Sequence, residues 1–182
     1  MTAHRVPMLL TDLPSWDSDG SLITVVEDPR GSRNKVDYDP DWGVFRLTKV
    51  LPKGMVFPYD FGFVPGTQGE DGDPLDVLIL LDGAVAPGTV VPARLLGVIE
   101  ARQREDGGEW VRNDRFVALA TCSSIQVGIE ELSDLGAPFL DEIETFFSAY
   151  HALDAHIFEP VARRGPGAAT RLVRKASTSS KA

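Results

Sequence analysis

The sequence predicts an α+β chain dominated by β-structure: a small closed or nearly closed barrel of short strands, with its clear helix late in the chain. Three observations predict it. Short runs rich in β-branched residues recur at fairly even spacing. Turn clusters such as Asp39-Pro40-Asp41 and Asp106-Gly107-Gly108 separate them. One late segment instead repeats its apolar residues at three- and four-residue steps.

Taken in order, residues 1–20 are mixed and interrupted by proline, and read as an irregular leader. Leu22 to Val26 is a strand that stops at Asp28-Pro29, and Arg30 to Asn34 is a turn. Strand patterns follow at Lys35–Tyr38, Val44–Leu51, Val77–Leu81, Val90–Ile99 and Trp110–Leu119. A short helix fits Ile129–Leu135. The long one carries Phe139, Leu140, Ile143, Phe146, Phe147 and Tyr150 on one face. Pro138 suits its first turn, and Asp141, Glu142 and Glu144 suit its dipole. From Val161 the chain carries arginines and lysines and no acid, and 161–182 reads as a basic, disordered tail. Residues 21–160 are then a single domain.

Bulk properties narrow the function. A length of 182 residues suits one domain with a real core, and 43% hydrophobic and 25% charged residues are ordinary for a globular protein. A formal charge of −9 argues against a nucleic-acid partner, whose phosphates would be repelled. It does not exclude a small phosphate substrate, because bound metal ions and a few local cations invert the field inside a site. The single Cys122 fits a reducing compartment. The run Val6-Pro7-Met8-Leu9-Leu10 is too short and broken for a signal sequence, and nothing approaches a transmembrane span. These features predict a cytoplasmic protein with no membrane partner.

The chemistry concentrates at Asp71-Gly72-Asp73-Pro74-Leu75-Asp76, immediately before the apolar run Val77 to Leu81. Like charges this close raise one another's pKa, so something positive belongs among them. Carboxylate oxygens are hard ligands that suit Mg²⁺, which binds through one or two carboxylates plus phosphate oxygens of a substrate. An acidic turn is more often a solvated hairpin tip, but a proline-stiffened triplet abutting a buried-looking strand is unusual for one. An EF-hand loop needs glycine sixth and glutamate twelfth; counting from Asp71 those places hold Asp76 and Asp82. A divalent-metal site for phosphate chemistry is the leading reading.

The string Asp71 to Val77 resembles the signature of the soluble, Mg-dependent inorganic pyrophosphatases of the first family. Phe57-Pro58-Tyr59-Asp60-Phe61-Gly62-Phe63 resembles the aromatic block that precedes it there. The resemblance runs from about Leu22 to His151. It implies a five-stranded OB-like β-barrel flanked by helices, and Mg²⁺-dependent hydrolysis of pyrophosphate to two orthophosphates, with Mn²⁺ as a substitute metal. It implies a homo-oligomer, a hexamer in bacterial relatives. By position it makes Asp71 and Asp76 metal ligands, Asp73 the carboxylate that orients and deprotonates the attacking water, and Glu27 a carboxylate reaching a further metal through water. It places Lys35, Lys49, Arg115, Tyr150 and His151 in substrate binding.

Several positions depart from the family pattern. Phe57 and Phe61 stand where tyrosines are usual, Lys49 where arginine is, Arg115 where lysine is, and His151 where lysine is. A further pair of metal aspartates should lie on the hairpin after 99. Gln103 and Asp106 are both candidates for the first, and Asn113 occupies the place of the second; Asp114 is one residue off and would face the other side of a strand. Three readings stay open on these residues: a divergent pyrophosphatase, a hydrolase of another phosphate-containing small molecule on the same scaffold, and a non-catalytic metal- or phosphate-binding relative.

Overall fold

The computed structural model describes residues 9–124 and 127–178. The first eight residues of the leader and positions 179–182 of the tail lie outside the described residues.

Five strands pair into a closed ring. β1 (Leu22–Asp28) lies antiparallel to β4 (Asp60–Val64), and β4 to β5 (Leu75–Leu80). β5 runs parallel to β8 (Arg115–Ala120), which is antiparallel to β6 (Val90–Glu105), and β6 returns to β1. The small barrel expected from the strand pattern is therefore present. All seven residues of β1 and all six of β8 are buried, which is why both read as continuous runs rather than alternating ones. β2 (Asn34–Asp39) and β3 (Val44–Val50) form a separate antiparallel hairpin. The segment expected as one strand over 110–119 is split: β7 (Val111–Arg112) pairs with the far end of β6, and Asn113-Asp114 separates it from β8.

Two glycines are sterically required. A Cβ at Gly62 would lie 1.9 Å from the Val25 carbonyl oxygen, so β4 can approach β1 only without a side chain there. At Gly97 a Cβ would meet the Arg164 carbonyl oxygen at 2.3 Å. The β6–β8 register shifts between Leu95 and Gly97, and the bulge bends β6 so that one long strand serves several partners.

The long helix, α1 (Ala137–Ala152), buries Leu140, Ile143, Phe147 and His151 against the ring. Its acids lie beyond the first turn: Asp141 and Glu144 pair with Arg163 at 2.5 and 2.7 Å, so they dock the helix on a strand rather than serve its dipole. The stretch expected as a short helix is a 3-10 turn, Leu132–Leu135. The basic segment from Val161, read as a disordered tail, is ordered through 178. β9 (His156–Arg164) pairs along β6, and α2 (Pro166–Ala176) buries Ala169 and Val173 completely. Its charges cover one face while small apolar residues four apart cover the other. No described helix is long and apolar enough to cross a membrane.

Candidate active site

One cavity of about 790 Å³ opens where the end of β1, the β2–β3 hairpin, the turn before β5, the start of β8 and the end of α1 meet. Glu27, Lys35, Asp71, Asp73, Asp76, Arg115, Tyr150 and His151 all line it. Lys49 does not; its ammonium is bonded to the Asp154 carboxylate and lies 4.9 Å from the centre of the Tyr150 ring. The hairpin residues lie apart. Gln103 and Asn113 line the cavity, while Asp106 sits in the turn after β6 and is not among the lining residues. Asp114 points elsewhere: its Oδ1 accepts from the Ala101 amide at 3.0 Å and its Oδ2 pairs with Arg112 at 2.7 Å.

The acidic loop is shaped by its own backbone. Gly72 adopts a φ of 95°, and the Gly69 amide donates to the Asp73 carbonyl at 2.7 Å. Asp71 and Asp73 are exposed, and Asp76, at the start of β5, is half-buried. Burial first, then the neighbouring Asp76 charge, raises the Asp71 pKa. Burial also raises that of Asp76, against the pull of Arg115, whose Nη1 stands 2.6 Å from its Oδ2.

Opposite lies a second acidic set that holds a lysine. Glu27 Oε1 accepts from the Tyr38 amide at 2.8 Å and Asp28 Oδ1 from the Val36 amide at 2.7 Å, so both carboxylates pin the hairpin to the ring. Burial pushes Glu27 up to about 8 and Asp28 up to about 6, although Lys35 lowers both. Lys35 is 3.0 Å from Asp28 Oδ2 and also bonds Asp37. Burial works against its charge, but Asp28, Glu27 and Asp37 outweigh it and raise its pKa. Sequence reasoning took Asp28 only as a strand end; its adjacency to Glu27 was the available signal.

Arg115 is 2% exposed and forms the cationic corner. Its guanidinium lies 4.6 Å from the Phe147 ring centre and 5.0 Å from that of Phe158, and bonds the Asn113 side chain. Its Nη2 donates to His151 Nε2 at 2.9 Å, which leaves the imidazole proton on Nδ1. Burial, then Arg115, drives His151 down to about 3, so it is neutral. Burial pushes Tyr150 up to about 12, so its phenol keeps its proton as a donor. Phe61, read as a lost hydroxyl, is a shared platform: Lys35 Nζ lies 5.7 Å and the Arg115 guanidinium 5.9 Å from its ring centre. Phe57 is in the core at 1% exposure, stacked on Phe61.

A family model described as Inorganic pyrophosphatase matches residues 24–181. The chain belongs to the inorganic pyrophosphatase family. It is 34% identical over 152 residues to the inorganic pyrophosphatase of Synechocystis sp., covering 84% of this chain and 87% of that one. It is 37% identical over 147 residues to the inorganic pyrophosphatase of Thermus thermophilus, covering 80% and 81%. Superposed on a crystal structure of inorganic pyrophosphatase from Thermus thermophilus it gives a TM-score of 0.82 at 34% identity, covering 93% of this chain and 96% of that one. A Helicobacter pylori inorganic pyrophosphatase structure gives 0.79 at 31% identity, covering 90% and 95%.

The donor set of this pyrophosphatase-family cavity fits a hard divalent cation. Among the described residues no three His, Cys or carboxylate side chains converge on one point. A hard divalent cation held by one or two carboxylates at a time, with waters completing its shell, needs no such convergence. Seven lining residues are Asp or Glu, against Lys35 and Arg115 as permanently charged cations. A polyanionic substrate could not enter such a field unless positive charge came with it.

Proposed function

We propose that this chain hydrolyses inorganic pyrophosphate to two orthophosphates with Mg²⁺ as its metal, Mn²⁺ serving as a substitute. The observation that carries the reading is the single cavity joining the Asp71–Asp76 loop to Lys35 and Arg115 in a pyrophosphatase-family chain. Asp71 and Asp76 would hold metal, and Glu27 would reach a further metal through water. When bound, Mg²⁺ neutralises phosphate charge and acidifies water. Asp73, exposed at the loop tip, takes the proton of the attacking water. Arg115 and Lys35 bind the phosphates as fixed cations, and the Tyr150 phenol donates to them. His151, held neutral by burial first and then by Arg115, accepts a hydrogen bond from the guanidinium and keeps its orientation. Lys49 acts one step back, bracing Asp154 beside the Tyr150 ring. The protein acts in the cytoplasm as a homo-oligomer, a hexamer on the family pattern, which light scattering measures.

The test is orthophosphate release from pyrophosphate, triphosphate, nucleotides and small phosphomonoesters, each with Mg²⁺ and with EDTA. Release from pyrophosphate only with metal is expected. Robust turnover in excess EDTA would sink the metal mechanism. Turnover of an organic phosphate alone would favour the second substrate class, for which the neutral Gln103, Asn113 and His151 at the cavity wall are the motive.

A pH dependence follows from Glu27. Its folded pKa, about 8, exceeds the ordinary 4.5, so the folded state holds a proton that the unfolded state releases. Its contribution to stability is complete below 4.5 and is lost as pH rises through about 8. In EDTA, Tm should therefore decline across that window, and Glu27→Gln, which still accepts from the Tyr38 amide, should flatten the decline. Added Mg²⁺ should raise Tm more at the alkaline end, because ligands bind metal deprotonated. A wild-type profile as flat as that of Glu27→Gln would refute the assignment.

A further inference from the structure

We propose that two segments outside the strand ring, Thr11–Ser15 before β1 and Ser177–Thr178 after α2, act together as a clasp that positions the Asp71–Asp76 loop to receive metal. The proposal rests on the reading that this loop holds the metal.

Both segments close on the turn between β4 and β5. The buried Ser15 hydroxyl donates to the Pro65 carbonyl at 2.8 Å. The Gly66 amide donates to the Thr11 carbonyl at 2.8 Å. From the other side, the Thr178 amide and hydroxyl both donate to the Gly66 carbonyl, at 2.8 and 3.1 Å, and the Gln68 amide donates to the Ala176 carbonyl at 2.9 Å. Gly66, at a φ of 62°, is therefore gripped by its amide from one segment and by its carbonyl from the other.

The grip is transmitted to the acids by a short run of bonds. Thr67 Oγ1 donates to the Val64 carbonyl at 2.6 Å and accepts from the Leu75 amide at 3.0 Å, closing the base of the loop. The Gln68 side-chain amide donates to the Gly72 carbonyl at 3.3 Å, and the Gly69 amide to the Asp73 carbonyl at 2.7 Å. Thr11, Asp12 and Thr178 themselves line the cavity. The Leu10 amide donates to the Tyr38 hydroxyl at 3.2 Å, so the leader also ties the hairpin that carries Lys35 to the same rim.

The clasp has physical work to do. Asp71 and Asp73 are exposed like charges on a turn with little packing of its own, and mutual repulsion favours splayed conformations. If only a fraction of loops are arranged for binding, apparent metal affinity falls by that fraction. Removing the clasp should thus weaken Mg²⁺ binding before it weakens the fold.

The experiment is Mg²⁺ binding by isothermal titration calorimetry, without substrate, on wild type, Ser15→Ala, Thr178→Pro and Thr178→Ser. Thr178→Pro removes both donors to Gly66, and Ser177, at φ −62° and ψ 127°, already has the backbone that precedes a proline. The Kd for Mg²⁺ should rise about three- to tenfold in Thr178→Pro and in Ser15→Ala, the range that one or two lost hydrogen bonds allow. Thr178→Ser, which keeps both donors, should stay near wild type. Turnover at saturating Mg²⁺ should fall by less than Kd rises. Unchanged Mg²⁺ affinity in Thr178→Pro overturns the clasp, as does a loss of turnover with no loss of affinity. Thr178 is exposed, so this variant decides even if the buried Ser15→Ala fails to fold. Wild type that binds no Mg²⁺ would instead sink the metal reading beneath it.

Discussion

Asp73→Asn is expected to lower pyrophosphate turnover by about 10²–10⁴-fold, the usual cost of losing a general base. The amide keeps the shape of the side chain and can still orient a water, but it cannot take the proton. The rest of the loop should be undisturbed. The Asp73 carbonyl, not its carboxylate, accepts the Gly69 amide, and its own amide donates to Asp71 Oδ1 at 3.3 Å. Calorimetric Mg²⁺ affinity should therefore stay within a few-fold of wild type, whereas Asp76→Ala should raise the Mg²⁺ concentration for half activity. Turnover of Asp73→Asn within a few-fold of wild type would show that another group is the base.

This proposed assignment rests on residues close in sequence. The carboxylate triplet is local in sequence, on a turn shaped by Gly72 and Pro74, so its members are read together without knowing the rest of the fold. The divergence of Asp114 from Asn113 was legible too, although the two lie between β7 and β8 and not in one continuous strand: Asp114 meets Arg112 and the Ala101 amide, while Asn113 and Arg115 line the cavity. Parity failed to place the hairpin residues, because the pairing of Gln103 with Val111 and Arg102 with Arg112 is a register, and register is set across strands. The same limit hid the bond between Lys49 and Asp154, residues 105 apart in sequence. The final segment was misread for another reason. Its charges were counted, but the apolar spacing of Ala169 and Val173 behind Pro166 marks a docked helix. β4 was overlooked because Gly62 weakens a strand pattern, although close contact with β1 is what requires it.

Phe61 and His151 illustrate a second kind of blindness. Each reads in sequence as a lost donor or a lost charge. In space both serve Arg115: Phe61 lies beneath the guanidinium and His151 accepts from it. An arginine makes use of both contacts, because its planar fork stacks on rings and donates in fixed directions, which a lysine ammonium does not. Phe61, Asn113, Arg115 and His151 thus form one linked arrangement around a buried cation. Replacing His151 by lysine would set a second cation beside the first and should destabilise the site rather than strengthen it.

Arg115→Met tests that arrangement. The thioether keeps much of the length and the contact with Phe147 and Phe158, and deletes only the charge and the donors. A charge-assisted hydrogen bond to phosphate contributes about 1.5–3 kcal/mol, so kcat/KM on pyrophosphate should fall about 10–150-fold. Removing one partner of a buried pair costs about 3–5 kcal/mol, and Asp76 is only half-buried, so the fold should lose about 3 kcal/mol or less. Mg²⁺ affinity should hold or improve, since Asp76 loses the cation that competes for its Oδ2. The specific signature is His151. Burial first, then Arg115, holds it down to about 3, so with the guanidinium gone and the burial kept its pKa should rise from there but stay below the ordinary 6.5, a shift that NMR titration of both proteins reads. If kcat/KM changes less than threefold while stability falls, Arg115 is structural and another group binds the phosphate. If kcat/KM collapses and the His151 pKa does not rise, Arg115 acts on the substrate alone, and the neutrality of His151 is owed to burial without it.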